Sequence, residues 1–404
     1  SASLIRIYPA KGDNDVSGTS GNIYIQDAQL EQGLVARDYI ETTTAAVYGG
    51  ITDNTPRLDY TDSSCPALLL EPQRTNLLLY SEYFDGWNKI SATLEANATT
   101  SPEGVLNGYK HTKSGGNSVL YLGGLSSATT NTFSVFVKNE DADIIRFGMT
   151  DTSLTADFES FVDLTTGTIT STTSGATSDI EDYGNGWYRV QIILTSSGAV
   201  NTYIGIPDSQ SGSAYWYGAQ LEAASYPTSY IPTYGSSVSR VGDTCEVTSA
   251  EDLIGQTEGT IAGEFTFKSA EQTNRLFSIS GVDWNTIGHI RFDMINLRPQ
   301  TKIRSNGADI AAIAGTQDIA IGSLVKFAVV YTSTTLKMFV NGAQIGSTET
   351  LSGSLPSLMN EIVVDALGGA FNSNTQNNQL NPYKQALVFK TALTDQEAID
   401  LTTI

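Results

Sequence analysis

Apolar and polar positions alternate with a period of two along most of the chain, the pattern of strands with one buried and one solvated face. In Asn131–Lys138, Phe133, Val135 and Val137 fall on one face and Ser134, Phe136 and Lys138 on the other. Trp187–Leu194 sets Tyr188, Val190, Ile192 and Leu194 against Trp187, Arg189, Gln191 and Ile193. In Thr260–Lys268 the core set is Ile261, Gly263, Phe265 and Phe267. Turn residues punctuate these runs. Asn341-Gly342 follows Leu336–Val340 and supplies the positive φ angles of a two-residue hairpin, and Thr165-Thr166-Gly167 ends Phe161-Val162-Asp163-Leu164 in a similar way. Short strands, frequent turns and no alternation with helices predict an all-β fold of tandem antiparallel sandwiches. One short helix is predicted at the C-terminus, where Thr394 caps, Glu397 reaches back, and Ala398 and Leu401 form an apolar stripe.

With 404 residues the chain is long enough for two or three domains. Its 40% hydrophobic and 16% charged residues describe a folded protein. No run approaches the roughly 20 apolar residues that span a bilayer, so no membrane insertion is expected. A net charge of −21 repels phosphate backbones and argues against nucleic acid as a partner. Two Cys (Cys65, Cys245) and two His (His111, His289) exclude a disulfide-stapled scaffold, a Cys/His zinc site and most histidine acid–base chemistry. The sequence opens Ser-Ala-Ser-Leu with neither Met nor a signal peptide, as a processed or subcloned piece of a longer protein would.

An internal repeat organises the chain. Tyr24–Val47 matches Tyr215–Val238 at a constant offset of 191 residues, with Ala28-Gln29-Leu30-Glu31 identical to Ala219-Gln220-Leu221-Glu222 and Tyr39-Ile40 to Tyr230-Ile231. Both copies then read as the closing strand of the same kind of domain. Residues 1–44 become the tail of an upstream domain, 45–80 a connecting segment, and 81–240 and 245–404 two further domains.

Pro56-Arg57-Leu58-Asp59-Tyr60 with Leu68-Leu69-Leu70-Glu71-Pro72-Gln73-Arg74-Thr75-Asn76-Leu77 resembles a segment common in bacteriophage tail and virion-fibre proteins. There it precedes a jelly roll like a carbohydrate-binding module. Ser81-Glu82, Trp87, Gly186-Trp187-Tyr188-Arg189-Val190, Tyr217–Glu222 and Ser229-Tyr230-Ile231-Pro232-Thr233 fit such a body. From about residue 245 the chain is similar to a laminin-G or concanavalin-A-like lectin sandwich, through Gly259-Thr260-Ile261, Lys326–Tyr331, Leu336–Gly342 and Ala386–Phe389 with Ala392–Glu397. The resemblance implies a jelly roll followed by a lectin-like sandwich, on a virion surface or otherwise extracellular, in contact with other virion proteins and assembled as a homotrimer.

Candidate chemistry is sparse. Glu159 and Asp163 lie four apart on one strand, a spacing that a solvated acidic face explains better than a glycosidase pair. G-x-S-x-G, H-E-x-x-H and P-loop motifs are absent. His111, among Tyr109, Lys110 and Lys113, reads as part of a surface strand, and His289 has no evident Cys or His partner; both read as structural. Sugar recognition instead needs aromatic planes against pyranose faces, beside side chains that bond hydroxyls. Trp187, Arg189 and Gln191 offer that mixture on one strand face, joined by Tyr121, Trp216 and Tyr203 if their strands share the sheet. The competing reading makes Trp187 a packing anchor. In the second domain Trp284 sits in a polar segment, and Asn372 in the polar loop Gly368–Asn378, where binding residues concentrate. Asp283, Asn285 and Asp365 are candidate oxygen ligands for a structural calcium; no other cofactor is implied.

The expectation is therefore a non-enzymatic adhesion protein that recognises host-surface glycans. Two rivals stand beside it: a purely structural capsid or tail decoration protein, and a component of a polysaccharide depolymerase.

Overall fold

A computed structural model describes residues 24–26, 28–30, 39, 41, 56–60, 64–125, 130–151, 156–196, 199–268, 274–283, 285–364 and 381–404. Most of the first repeat copy, and with it Trp284, Asp365 and Asn372, lies outside the described residues.

The described chain is nearly all antiparallel β-sheet with one C-terminal helix. Two six-stranded sheets form the first sandwich. The front sheet runs, in spatial order, Thr168–Thr172, Ala156–Asp163, Ile144–Asp151, Val200–Ile206, Ser118–Leu125 and Asn88–Ile90. The back sheet runs Ala176–Gly184, Trp187–Thr195, Thr130–Asn139, Ser213–Glu222, Leu106–Lys113 and Ala92–Thr100. The chain passes repeatedly from one sheet to the other, as a jelly roll does. The alternation read from the sequence places the core: Phe133, Val135, Val137, Val190, Ile192 and Leu194 of the back sheet meet Ile145, Phe147, Met149 and Ile204 of the front.

In the second sandwich a six-stranded sheet (Cys245–Thr248, Glu361–Val364, Asn274–Ser280, Gly288–Ile295, Arg298–Ser305, Ala308–Ala314) faces a seven-stranded one. Ile261, Phe265 and Phe267 are buried between them, and Phe292 stacks on Phe327 with ring centroids 3.9 Å apart. The helix Asp395–Thr402 closes the outer face of the seven-stranded sheet, where Ala398 packs with Ala262, Ala328, Val330 and Phe339. Its capping box forms as read: the Thr394 side chain accepts from the Glu397 N–H, and the Glu397 carboxylate accepts from the Thr394 N–H. Asn341 and Gly342 take φ of 50° and 80°, as a tight hairpin between right-twisted strands requires.

The segment that precedes the first sandwich is stitched to both sandwiches. Leu58–Asp59 and Ala67–Leu68 add two short strands to the seven-stranded sheet through Leu68 and Tyr383. Arg74–Asn76 pairs with Val238–Arg240 beside the first sandwich. No helix among the described residues is long and apolar enough to cross a membrane.

Candidate functional site

Period-two alternation gives every strand a second face, and in the first sandwich the two outer faces differ. On the back sheet that face carries Trp187, Arg189, Gln191, Phe136 and Tyr217. It is covered. After Glu222 the chain folds back across it, and the returning segment is held by buried polar groups. Arg189 Nη2 donates to Ser134 Oγ (3.1 Å) and the Thr228 carbonyl (2.7 Å). Gln220 donates to Glu222 (2.7 Å) and the Thr228 carbonyl, and accepts from the Ile231 N–H (2.6 Å). Asn76 donates to the carbonyls of Ala219 and Ile231 and accepts from the N–H groups of Leu78 and Leu221, so its amide is fully used. Phe136, Trp187, Tyr217 and Tyr230 pack into one aromatic cluster. The hydroxyls of Tyr217, Tyr230 and Tyr234 converge on the buried Glu82 carboxylate at 2.9–3.3 Å.

The expected sugar-contacting set is corrected accordingly. Trp187 is only 2% exposed and donates its indole N–H to the Thr100 carbonyl (3.0 Å), the role of a packing anchor. Arg189 is buried, and Gln191 is half-buried and donates to Asp179 (3.3 Å). Trp216 faces inward and is wholly enclosed in the core between the sheets. Tyr121 and Tyr203 do not share this sheet at all; they belong to the front one.

There they meet. Core residues Leu120, Phe147, Val162 and Ile204 fix the inward face of the front sheet, so their neighbours point outward. Strand register then lines up one lateral row across five strands: Asn88, Tyr121, Tyr203, Gly148 and Glu159. The next row runs Ile90, Val119, Gly205, Arg146 and Phe161. Arg146 Nη1 pairs with Glu159 Oε2 at 3.3 Å, and the Tyr203 hydroxyl donates to the same oxygen at 3.3 Å. The Arg146 guanidinium lies 5.8 Å from the Tyr203 ring centre. Burial first, and the Glu159 charge second, hold the Tyr203 phenol well above its ordinary range, so it stays a donor at neutral pH. Glycine is needed at two places beneath. A Cβ on Gly148 would come within 2.7 Å of the Tyr203 hydroxyl and 2.3 Å of the Phe158 carbonyl; on Gly205 it would strike the Ser118 carbonyl at 2.3 Å. The result is a shallow floor with one half-buried ring (Tyr121), one largely buried ring (Tyr203), a guanidinium–carboxylate pair and the exposed Asn88.

The sequence reading named Tyr121, Tyr203 and Glu159 but missed Arg146, Asn88 and the two glycines. The only local signal was the parity of each strand; which parities meet depends on cross-strand register.

Other expectations resolve as follows. Asp163 accepts the N–H groups of Thr165 and Thr166 at a turn. Asp283 does the same for Asn285 and Thr286, and Asn285 accepts from Arg304 (3.2 Å). Among the described residues no group of three or more His, Cys, Asp or Glu is placed to hold a metal ion. His111, expected on a surface strand, is fully buried, with Nε2 against Ser118 Oγ at 2.7 Å; burial pulls its pKa down to about 4 and keeps it neutral. His289 is fully buried as well.

No protein-family model and no curated protein matches the chain. Solved structures similar to part of it include a heptameric SAP-like pentraxin from Limulus polyphemus, at 17% identity over 37% of this chain and 72% of that one, TM-score 0.31. Another is the CBM40 of Ruminococcus gnavus IT-sialidase, at 15% identity over 40% and 97%, TM-score 0.33. A third is the K499G mutant of NanB sialidase from Streptococcus pneumoniae, at 16% identity over 39% of this chain and only 27% of that one, TM-score 0.32. Likenesses this low carry no argument about what the chain binds.

Proposed function

We propose that the chain is a non-catalytic, glycan-binding adhesion protein of a bacteriophage virion, and that the front face of its first sandwich is the contact surface. The observation that carries this reading is the outward row Asn88–Tyr121–Tyr203–Gly148–Glu159 with Arg146 beside it. A pyranose ring would lie against Tyr121, while Arg146, Glu159 and Asn88 bond its hydroxyls. Among its described residues the face carries no nucleophile–base pair. Its carboxylate Glu159 is engaged by Arg146 and Tyr203, which favours a role as acceptor over that of proton donor. The virion setting and a homotrimeric assembly rest on the sequence resemblance. Several weak sites on one particle would add through effective concentration.

A glycan array probed with the parent, Tyr121→Ala and Arg146→Ala proteins tests this. At least one host-surface glycan should be retained by the parent and weakened about tenfold or more in each variant, with melting temperatures close to the parent's. If no glycan is retained, or if both variants bind as the parent does, the reading fails and a decoration protein takes its place. Shortening of a purified host polysaccharide on incubation would instead support the depolymerase reading.

A further inference from the structure

The outward face of the front sheet extends to either side of the row that carries the proposed function, and the two sides differ in chemistry. One side is polar. Asn201, Thr150 and Asp157 are register partners there, and Thr150 donates to Asp157 at 2.7 Å. The other side is mainly apolar, with Ile90, Val119 and Phe161 in the row that also holds Arg146. Ile90 is 50% exposed, and Val119 and Phe161 are half-buried, so water reaches the apolar side as well. Asn88 and Asp157, at opposite ends of the face, are both exposed. Asn88 and Glu159 stand four strand spacings apart, about 19 Å. One pyranose ring on Tyr121 covers only part of that length.

Charge on the face is one-sided. Among the described outward side chains of this sheet one cation, Arg146, stands against three carboxylates, Asp157, Glu159 and Asp163. Arg146 is already paired with Glu159 at 3.3 Å. An anionic sugar would meet like charge here, with the one guanidinium engaged elsewhere. An uncharged sugar meets the same carboxylates as acceptors for its hydroxyls.

We infer that the front face takes a linear run of several uncharged pyranose units, laid across the strands, in preference to a single sugar or an acidic chain. Ring faces would lie on Tyr121 and the Ile90–Val119 side, and hydroxyl edges would turn to Asn201, Thr150 and Asp157. This rests on the front face being the contact surface, and adds the length and charge of the ligand.

The test is retention of the full chain on immobilised glucan, mannan and galactan oligosaccharides, monomer to hexamer, beside oligogalacturonate and oligosialate of matched length. At least one uncharged series should be retained, its affinity rising about tenfold or more from monomer to tetramer. Acidic series of equal length should bind about tenfold or more weaker. Asp157→Ala, at an exposed side chain three strands from Tyr121, should weaken the tetramer several-fold without lowering the melting temperature. Asp157→Lys should narrow the gap between acidic and uncharged series. Equal affinity for monomer and tetramer, an acidic series bound as well as an uncharged one, or full tetramer affinity in Asp157→Ala would each overturn the inference. If Tyr121→Ala still weakened binding in those cases, the contact surface itself would stand. Retention of neither class would remove the surface and the inference together.

Discussion

The two outer faces of the first sandwich are built alike and used differently. Each sets a guanidinium over an aromatic ring: Arg189 lies 5.4 Å from the Phe136 ring centre, and Arg146 lies 5.8 Å from that of Tyr203. Each adds further aromatics and amide-bearing side chains. On the back sheet the chain returns after Glu222 and seals the mixture inside; on the front sheet Tyr121 and Arg146 keep part of their surface in water. Composition on a strand face therefore does not separate a ligand platform from a packing surface. The separating feature is the polar machinery of the cover. A segment laid over a sheet brings backbone N–H and C=O groups that must be satisfied, and Asn76, Gln220, Glu222 and Arg189 are the side chains that do so here. The residues carrying the phage-protein resemblance, among them Glu71, Asn76, Gln220 and Glu222, thus work mainly to close the back face.

The contrast can be broken from either side. The largest effect is expected at Trp187→Ala, which empties the covered cluster. It should cost about 3–5 kcal/mol and lower the melting of the first sandwich by roughly 10 °C. A Trp187→Ala protein that melts like the parent would contradict the enclosed position of that ring. Next comes Glu71, whose carboxylate meets Arg57, Arg240 at 2.9 Å and the Ser229 N–H at 2.7 Å, where the connecting segment joins the cover. Burial pushes its pKa up, but Arg240 and Arg57 outweigh it and hold the group below its ordinary value of 4.5. A lowered carboxylate pKa means that the folded state binds fewer protons. The stabilisation is therefore complete above about pH 4.5 and is lost as pH falls below it. Glu71→Gln, which leaves two arginines facing a neutral amide, should cost about 3 kcal/mol at pH 7 and flatten the acid limb of a stability–pH curve; an unchanged acid limb would remove the role given to Glu71. The smallest effect on stability is expected on the open side. Tyr121→Ala should change stability by less than about 1 kcal/mol, while a tenfold loss of glycan affinity corresponds to about 1.4 kcal/mol of binding. A large melting shift in this variant would mean that the front face, too, is a packing surface.

Much of the fold was legible because strands announce themselves locally. The alternation in Asn131–Lys138, Trp187–Leu194 and Thr260–Lys268 named core residues correctly, Asn341-Gly342 marked its hairpin, and Thr394 with Glu397 marked the helix start. Each signal is carried by a few neighbouring residues. The candidate site was legible only in pieces. Tyr121, Tyr203 and Glu159 were visible as residue types, but Tyr203 is 82 positions from Tyr121 and 44 from Glu159, and only register brings them together. His111 misled for the same reason: a lysine on either side suggested solvent, while the next turn of the chain supplied Ser118 from the opposing sheet.

The sequence by itself determined the period of the strands, the turns between them, the acidic balance and the capped final helix, since these depend on side-chain parity, backbone φ and charge. Tertiary structure alone decided which of two chemically similar faces would be closed. That choice depends on where the returning segment finds hydrogen-bond partners for its backbone, and Arg189 and Gln220 show that role only once the fold has brought them to Thr228 and Ile231.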